Sequence, residues 1–172
     1  GIGVTQDDRQ ALRWFREAAQ RGDAVAQFDL GVLYASGRGA PRDEAQAAAW
    51  YRKAADQKLP LAQLMLALSY ATGRGAPRDD PQALQWFQQA ADSGLALAQY
   101  GLGMLHGTGR GVVPDLVQAH QWLSLAVAGG YLGATQPLDA IASQMSEADL
   151  ARARQLAREW QAASGSRLSK PN

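Results

Sequence analysis

Two short stretches decide the fold of this chain: AQFDLGVLY at residues 26–34 and WYRKAA at residues 50–55. Related stretches return along the sequence at a spacing of 36 residues, without an insertion. Three residue series show the spacing: Trp14, Trp50, Trp86 and Trp122; Ala26, Ala62, Ala98 and Ala134; Leu30, Leu66, Leu102 and Leu138. A fixed period of this length is typical of helical repeat proteins.

Each repeat contains two helical segments. In the first, Ala26, Leu30 and Tyr34 follow i, i+4, i+8 spacing and precede Gly37, which predicts a short helix ended by a left-handed glycine. The second, around Trp50, has the spacing of an amphipathic helix. We call these helices A and B. The sequence predicts A helices near 24–35, 60–71, 96–107 and 132–143, and B helices near 8–21, 44–57, 80–93 and 116–129.

The predicted B helices carry similar start and stop signals. Each begins with an aspartate followed three residues later by glutamine, which is a capping-box arrangement: Asp7 and Gln10, Asp43 and Gln46, Asp79 and Gln82, Asp115 and Gln118. A glycine follows three of the helices, at Gly22, Gly94 and Gly130. Lys58 occupies the equivalent position in the fourth, where Pro60 helps to end the helix.

A single pair of short helices cannot bury its apolar stripe, so neighbouring pairs must stack. The sequence therefore predicts an all-α solenoid of helix-turn-helix repeats, forming one domain over residues 1–163. The pattern fades in the last repeat, where Asp139 replaces a small residue. Ser146 and Asp149 then predict the start of a capping helix over 147–162. Residues 164–172 lack periodicity, and we expect a flexible tail there.

The stretches at 26–34 and 50–55, with the Gly37-Arg38-Gly39 loop between them, resemble the Sel-1-like repeat, a relative of the tetratricopeptide repeat. The resemblance covers roughly Gly1 to Ala134. It implies a right-handed solenoid that binds another protein, because members of this family serve as adaptors, as bacterial signalling and secretion factors and, in some cases, as immunity proteins that neutralise a toxin. The family has no shared catalytic residues.

The amino-acid composition further narrows the range of possible functions. The chain has 172 residues, of which 47% are hydrophobic and 19% charged, which is ordinary for a folded protein. Its net charge of +1 gives no general attraction to nucleic acid, and no apolar stretch is long enough to cross a membrane. The Ala-, Gln-, Arg- and Leu-rich composition favours a bacterial source. A chain without cysteine fits either the periplasm or the cytoplasm, and we expect the periplasm.

No residue pattern predicts catalysis, a cofactor or a metal site. The Gly-Arg-Gly loops follow helices, whereas a dinucleotide-binding loop follows a strand and opens a helix. His106 and His120 lie in different predicted helices, without a second ligand at a suitable spacing. We therefore predict a protein that is not an enzyme and binds no nucleic acid. The alternatives are a small hydrolase, as suggested for some relatives, or an RNA-binding helical repeat.

The resemblance to tetratricopeptide repeats also implies a binding surface. It places nine apolar side chains of the A helices on a concave face, where they could receive an apolar helix or loop of a partner. Alternatively, tight curvature buries many of them between repeats. The nine residues are Val25, Phe28 and Val32; Leu61, Leu64 and Leu68; Leu97, Tyr100 and Met104.

An arginine series forms a secondary candidate site. Arg38, Arg74 and Arg110 occupy the same position in successive loops, so stacking would align them along one edge. They could bind carboxylates of a partner. They could equally remain solvated or form weak local ion pairs, which is common for arginines in exposed loops.

Overall fold

The computed structural model describes the backbone of residues 4–168 and the side chains of residues 8–164. All regular structure in this part of the chain is helical. The helices, in order, are α1 (Val4–Gln20), α2 (Ala24–Ser36), α3 (Glu44–Asp56), α4 (Pro60–Thr72), α5 (Asp80–Asp92), α6 (Ala96–Thr108), α7 (Leu116–Ala128), α8 (Thr135–Ala142) and α9 (Glu147–Leu168); a 3₁₀ turn, Leu132–Ala134, precedes α8.

The helices alternate as the repeat predicts: α2, α4 and α6 are A helices, and α1, α3, α5 and α7 are B helices. The differences lie at the two ends. Helix α1 begins at Val4, before the expected residue 8, and the last A helix is a 3₁₀ turn followed by the short α8. Helix α9 continues to Leu168, beyond the expected end at residue 162, so residues 164–168 of the expected tail are helical. The rest of that expected tail, 169–172, lies outside the described residues.

The aspartate caps form at three of the four B helices. The carboxylates of Asp43, Asp79 and Asp115 each accept a hydrogen bond from the backbone N–H three residues later, at 2.9, 2.9 and 3.0 Å. These bonds satisfy N–H groups that the first helical turn leaves unpaired. The predicted cap at Asp7 is wrong, because Asp7 lies inside α1.

Residues with a left-handed backbone conformation follow the helices, at equivalent positions of the repeat. Gly37, Gly73 and Gly109 close the A helices with φ of 71°, 75° and 70°. After the B helices, Gly94 has φ 84°, and Lys58 adopts φ 65° at the equivalent position. A lysine there is strained, because its Cβ crowds the backbone in the left-handed region.

The sequence predicts one domain over residues 1–163, whereas the structure divides into two compact units, with the division between Trp86 and Phe87. In the first unit, α3 packs against both α2 and α4. In the second unit, α7 packs against α6, α8 and α9. Each A and B helix pair therefore buries its small residues against a neighbour, and Ala54, Ala62, Ala98 and Ala126 are fully buried.

Three of the four repeated tryptophans do not fill the core. Trp14 is 66% exposed, Trp50 and Trp86 are half-buried, and only Trp122 is buried. In the last three B helices, the residue after the tryptophan takes the central position instead: Tyr51 is 2% exposed, Phe87 2% and Leu123 0%. Adjacent residues point about 100° apart around a helix, so in α3 and α5 the tryptophan is turned away when the next residue faces the core.

The capping helix α9 explains why Trp122 is buried. It packs against α7, with Trp160 edge-on to Trp122 at 6.0 Å between ring centroids. Ser146 caps α9 by accepting a hydrogen bond from the Asp149 backbone N–H at 3.1 Å, as predicted. Ala153, at the centre of α9, is fully buried. The C-terminal helix therefore closes the apolar side of the last B helix.

Candidate protein-binding surface

The first unit exposes three large aliphatic side chains on its A helices. Val25 and Val32 on α2 are 57% and 37% exposed, and Leu61 on α4 is 48% exposed. Val25 and Val32 are seven residues apart, so they lie on one face of α2. We call Val25, Val32 and Leu61 the apolar patch. All three belong to the predicted binding set, and they are its most accessible members.

The other predicted residues of this unit lie deeper. Phe28 and Leu68 are half-buried, and the Phe28 ring contacts the Tyr51 ring with centroids 5.8 Å apart. Leu64, also in the predicted binding set, is only 7% exposed, so little of its side chain is accessible to a partner. Its side chain belongs to the core of the unit, and a charge placed there would test folding rather than binding.

In the second unit, the residues of the predicted binding set also take part in packing within the unit. Leu97, Tyr100 and Met104 are all half-buried. Tyr100 stacks at 5.0 Å against Tyr131, and Tyr100 and Met104 both pack on the buried cluster around Leu123. These side chains therefore offer less free apolar surface than the patch of the first unit.

The arginines at the loop tips bind carboxylates of their own chain. Arg38 donates to Asp8 at 2.7 Å, and Arg74 donates to Glu44 at 2.7 Å, each across 30 residues of sequence. Asp8 and Glu44 occupy the same position in successive B helices. The two arginine side chains nevertheless remain 61% and 63% exposed. Arg110 is half-buried.

Glycine allows each loop to approach the helix that carries this carboxylate. A Cβ at Gly39 would collide with the backbone of Asp8, and a Cβ at Gly75 would collide with the backbone of Glu44. Both glycines also have positive φ, 74° and 80°. In these two Gly-Arg-Gly loops, the second glycine thus allows the loop to lie against the backbone of the preceding B helix, and the arginine closes the contact.

A pocket of about 250 Å³ opens in the first unit between α2, α3 and α4. Ala35 of α2 lines one side, and Met65 and Leu68 of α4 line another. Tyr51 contributes from α3, and Ser69, Thr72, Glu44 and Arg74 complete the lining. Val32 lies one turn before Ala35, and Leu61 one turn before Met65, so the pocket continues the faces that carry the apolar patch. Sequence reasoning missed this pocket, which three helices form together.

One histidine has a neighbour suited to nucleophilic chemistry. His120 Nδ1 lies 3.3 Å from the Ser124 hydroxyl, one turn away on α7. Burial, with a smaller effect of Arg154, lowers the pKa of His120, and the side chain is only 5% exposed. No carboxylate among the described residues is hydrogen-bonded to His120 to orient it. The pair therefore lacks both the third group and the access that a hydrolase needs.

No three His, Cys, Asp or Glu side chains in the described part of the chain are grouped so that they could hold a metal ion. No described helix has the length and apolarity needed to span a bilayer.

The helix pairs, their register and the exposed A-helix side chains define an α-helical repeat protein. The Sel1 repeat matches residues 1–23, 24–59, 60–95 and 96–131. The chain belongs to the Sel1 repeat family, and the predicted all-α solenoid of Sel-1-like repeats is confirmed.

The solved structures that are similar to the chain include two bacterial proteins. One is c5321, a protective antigen present in uropathogenic Escherichia coli strains that displays an SLR fold, with a TM-score of 0.83 and 29% identity. That comparison covers 100% of this chain but 38% of c5321, so the chain spans well under half of its length. The other is a Sel1 repeat protein from Oxalobacter formigenes, with a TM-score of 0.67 and 38% identity over 74% of this chain and 96% of that one. None of the curated proteins matches the chain.

Sel1 repeat proteins generally act as scaffolds for protein–protein interaction, and their fold is typically non-enzymatic. Family membership therefore supports a protein partner as the general class of ligand. It names neither the partner nor the surface.

Proposed function

We propose that this chain is a protein-binding scaffold whose partner contacts the apolar patch, Val25, Val32 and Leu61, on the A helices of the first unit. The observation that carries the proposal is the exposure of these three aliphatic side chains, at 57%, 37% and 48%. Exposed aliphatic groups on neighbouring helices have a solubility cost unless another surface covers them. They would stabilise a complex through burial of apolar area.

The particular role we propose is that of a bacterial adaptor or toxin-immunity protein located in the periplasm. The two similar structures come from bacteria, which supports the source. Cell fractionation followed by immunoblotting tests the location: we expect the protein in the periplasmic fraction, and recovery with cytoplasmic markers would contradict this part of the proposal.

The proposed surface can be tested with a matched pair of charged substitutions. Leu61→Asp should weaken binding by roughly 2 kcal/mol, as expected when an interface anchor is lost. Val113→Asp is the control, because Val113 is also an exposed aliphatic residue, at 81%, but lies in a loop of the second unit. Cross-linking in cells of the source bacterium and mass spectrometry would identify the partner, and calorimetry with the purified partner would give both affinities.

Circular dichroism must first show that both variants are folded. Equal affinity of the wild type and Leu61→Asp would contradict the proposed surface. A Val113→Asp variant that loses affinity as strongly as Leu61→Asp would contradict it as well, because the effect would then not depend on the patch.

A further inference from the structure

We propose that the pocket between α2, α3 and α4 receives one apolar side chain of the partner, and that a partner carboxylate beside this side chain binds Arg74. This inference rests on the proposed function and specifies the kind of partner segment. The pocket measures about 250 Å³, which suits a single aliphatic or aromatic side chain rather than a helix.

The lining favours an apolar occupant. Ala35, Met65 and Leu68 present only hydrocarbon and thioether groups. Two of the three hydroxyl groups in the lining are already engaged: Ser69 donates to the Met65 carbonyl at 3.0 Å, and Thr72 donates to the Leu68 carbonyl at 2.7 Å. The third belongs to Tyr51. A polar side chain would lose its water beside this hydrocarbon wall, which carries a desolvation cost.

The mouth of the pocket favours a carboxylate. Glu44 is shared between two guanidinium groups, because Arg42 and Arg74 both donate to its Oε1. One negative charge thus faces two positive charges, and the group carries a net positive charge. Arg74 uses one N–H for Glu44 and is 63% exposed, so its other donors face solvent. A partner carboxylate can bind these donors without displacing Glu44.

The preceding repeat supplies a matched comparison. Arg38 binds Asp8 as Arg74 binds Glu44, and the two arginines are almost equally exposed. The position equivalent to Met65, however, is Asp29 in α2, which is half-buried. Gly37, Ala40 and Pro41 line the pocket beside Arg38, which has no methionine or leucine in its wall. An exposed arginine occurs in both places, but the pocket whose wall includes Met65 and Leu68 lies beside Arg74.

A random peptide library displayed on phage is a suitable probe, since it needs no knowledge of the natural partner. Selection on the full chain should enrich peptides in which an aliphatic or aromatic residue lies near Asp or Glu. Enriched peptides are then synthesised, and their affinities are measured by fluorescence anisotropy on two variants and two controls. Arg74→Glu reverses the charge at the mouth, and Thr72→Trp places a large ring over the pocket. Arg38→Glu and Thr108→Trp are the equivalent changes in other repeats.

We expect Arg74→Glu and Thr72→Trp each to weaken binding by at least about tenfold, while both controls stay within about twofold of the wild type. Failure to enrich any peptide, peptides without an acidic residue, or equal effects of variants and controls would overturn the inference. If binding is lost in Leu61→Asp but retained in Arg74→Glu and Thr72→Trp, the apolar patch remains the binding surface and only the pocket is wrong. Circular dichroism of Thr72→Trp and Thr108→Trp checks that both are folded.

Discussion

The first and last B helices, α1 and α7, carry the same motif in very different surroundings. Trp14 of α1 is 66% exposed, whereas Trp122 of α7 is 4% exposed. Phe15 is half-buried, whereas its equivalent, Leu123, is completely buried. Helix α7 packs against α6 on one side and α9 on another, while α1 packs against α2. The burial of a repeated residue therefore depends on its neighbours as much as on its place in the repeat.

Replacing each of the two tryptophans should reveal the largest difference in stability between α1 and α7. Trp122→Ala should destabilise the protein by roughly 3–5 kcal/mol, because it leaves a cavity under α9 and removes the contact with Trp160. Trp14→Ala should cost less than about 1 kcal/mol, because most of that side chain is already in water. Urea unfolding followed by circular dichroism measures both. Midpoints that shift equally would show that α9 does not distinguish the two helices.

Exchange of the residues that follow the B helices should have a smaller effect. Lys58→Gly should stabilise the protein by roughly 0.5–1 kcal/mol, because glycine adopts the positive φ without crowding. Gly94→Lys should destabilise it by about 1 kcal/mol for the same reason, since a Cβ at Gly94 would meet no neighbouring atom within 4 Å and only the backbone is strained. Thermal unfolding of both variants tests this pair. Destabilisation by Lys58→Gly would show that the lysine side chain contributes more than its strained backbone costs.

The loss of stability in acid should be the smallest of these effects. We expect this loss to be confined to the second unit. Both histidines lie there, and burial lowers the pKa of His106 and His120 below the ordinary 6.5. The unfolded chain then takes up protons that the folded chain does not, so stability is lost as the pH falls through about 6.5. Chemical unfolding between about pH 7.5 and pH 5.5 should show this loss. A variant with His106→Gln and His120→Gln should show a smaller loss; an equal loss would exclude the histidines as its source.

The local features of the fold could be predicted from the sequence. Helix types, their order and the caps at Asp43, Asp79 and Asp115 depend on residues close together in sequence, where spacing and turn chemistry are informative. The inward-facing residue of each B helix could not be predicted in this way. Trp50 and Tyr51 are both apolar and adjacent, and the packing of α2 and α4 decides which one is buried.

The candidate site was predicted only in part. Sequence spacing places Leu61 and Leu64 equally well on the predicted binding face. How deeply each side chain is buried depends on how the neighbouring helices cross, and the sequence of a single repeat does not contain that information. The pocket beside Arg74 requires side chains from three helices. It also requires Met65, whose equivalent in the preceding repeat is Asp29. One signal was available in the sequence: Asp8 and Glu44 keep a constant distance of 30 residues from Arg38 and Arg74, which indicates intrachain ion pairs.

The close approach of the Gly-Arg-Gly loops to the preceding B helix has a consequence for proteolysis. Arg38 and Arg74 are exposed, and trypsin cleaves after arginine. A protease, however, needs its substrate as an extended strand, so each loop would first have to leave the backbone of Asp8 or Glu44 against which Gly39 or Gly75 packs. These loops should therefore resist cleavage while the repeats are folded, and their rate of cutting would report how often a loop detaches from its helix.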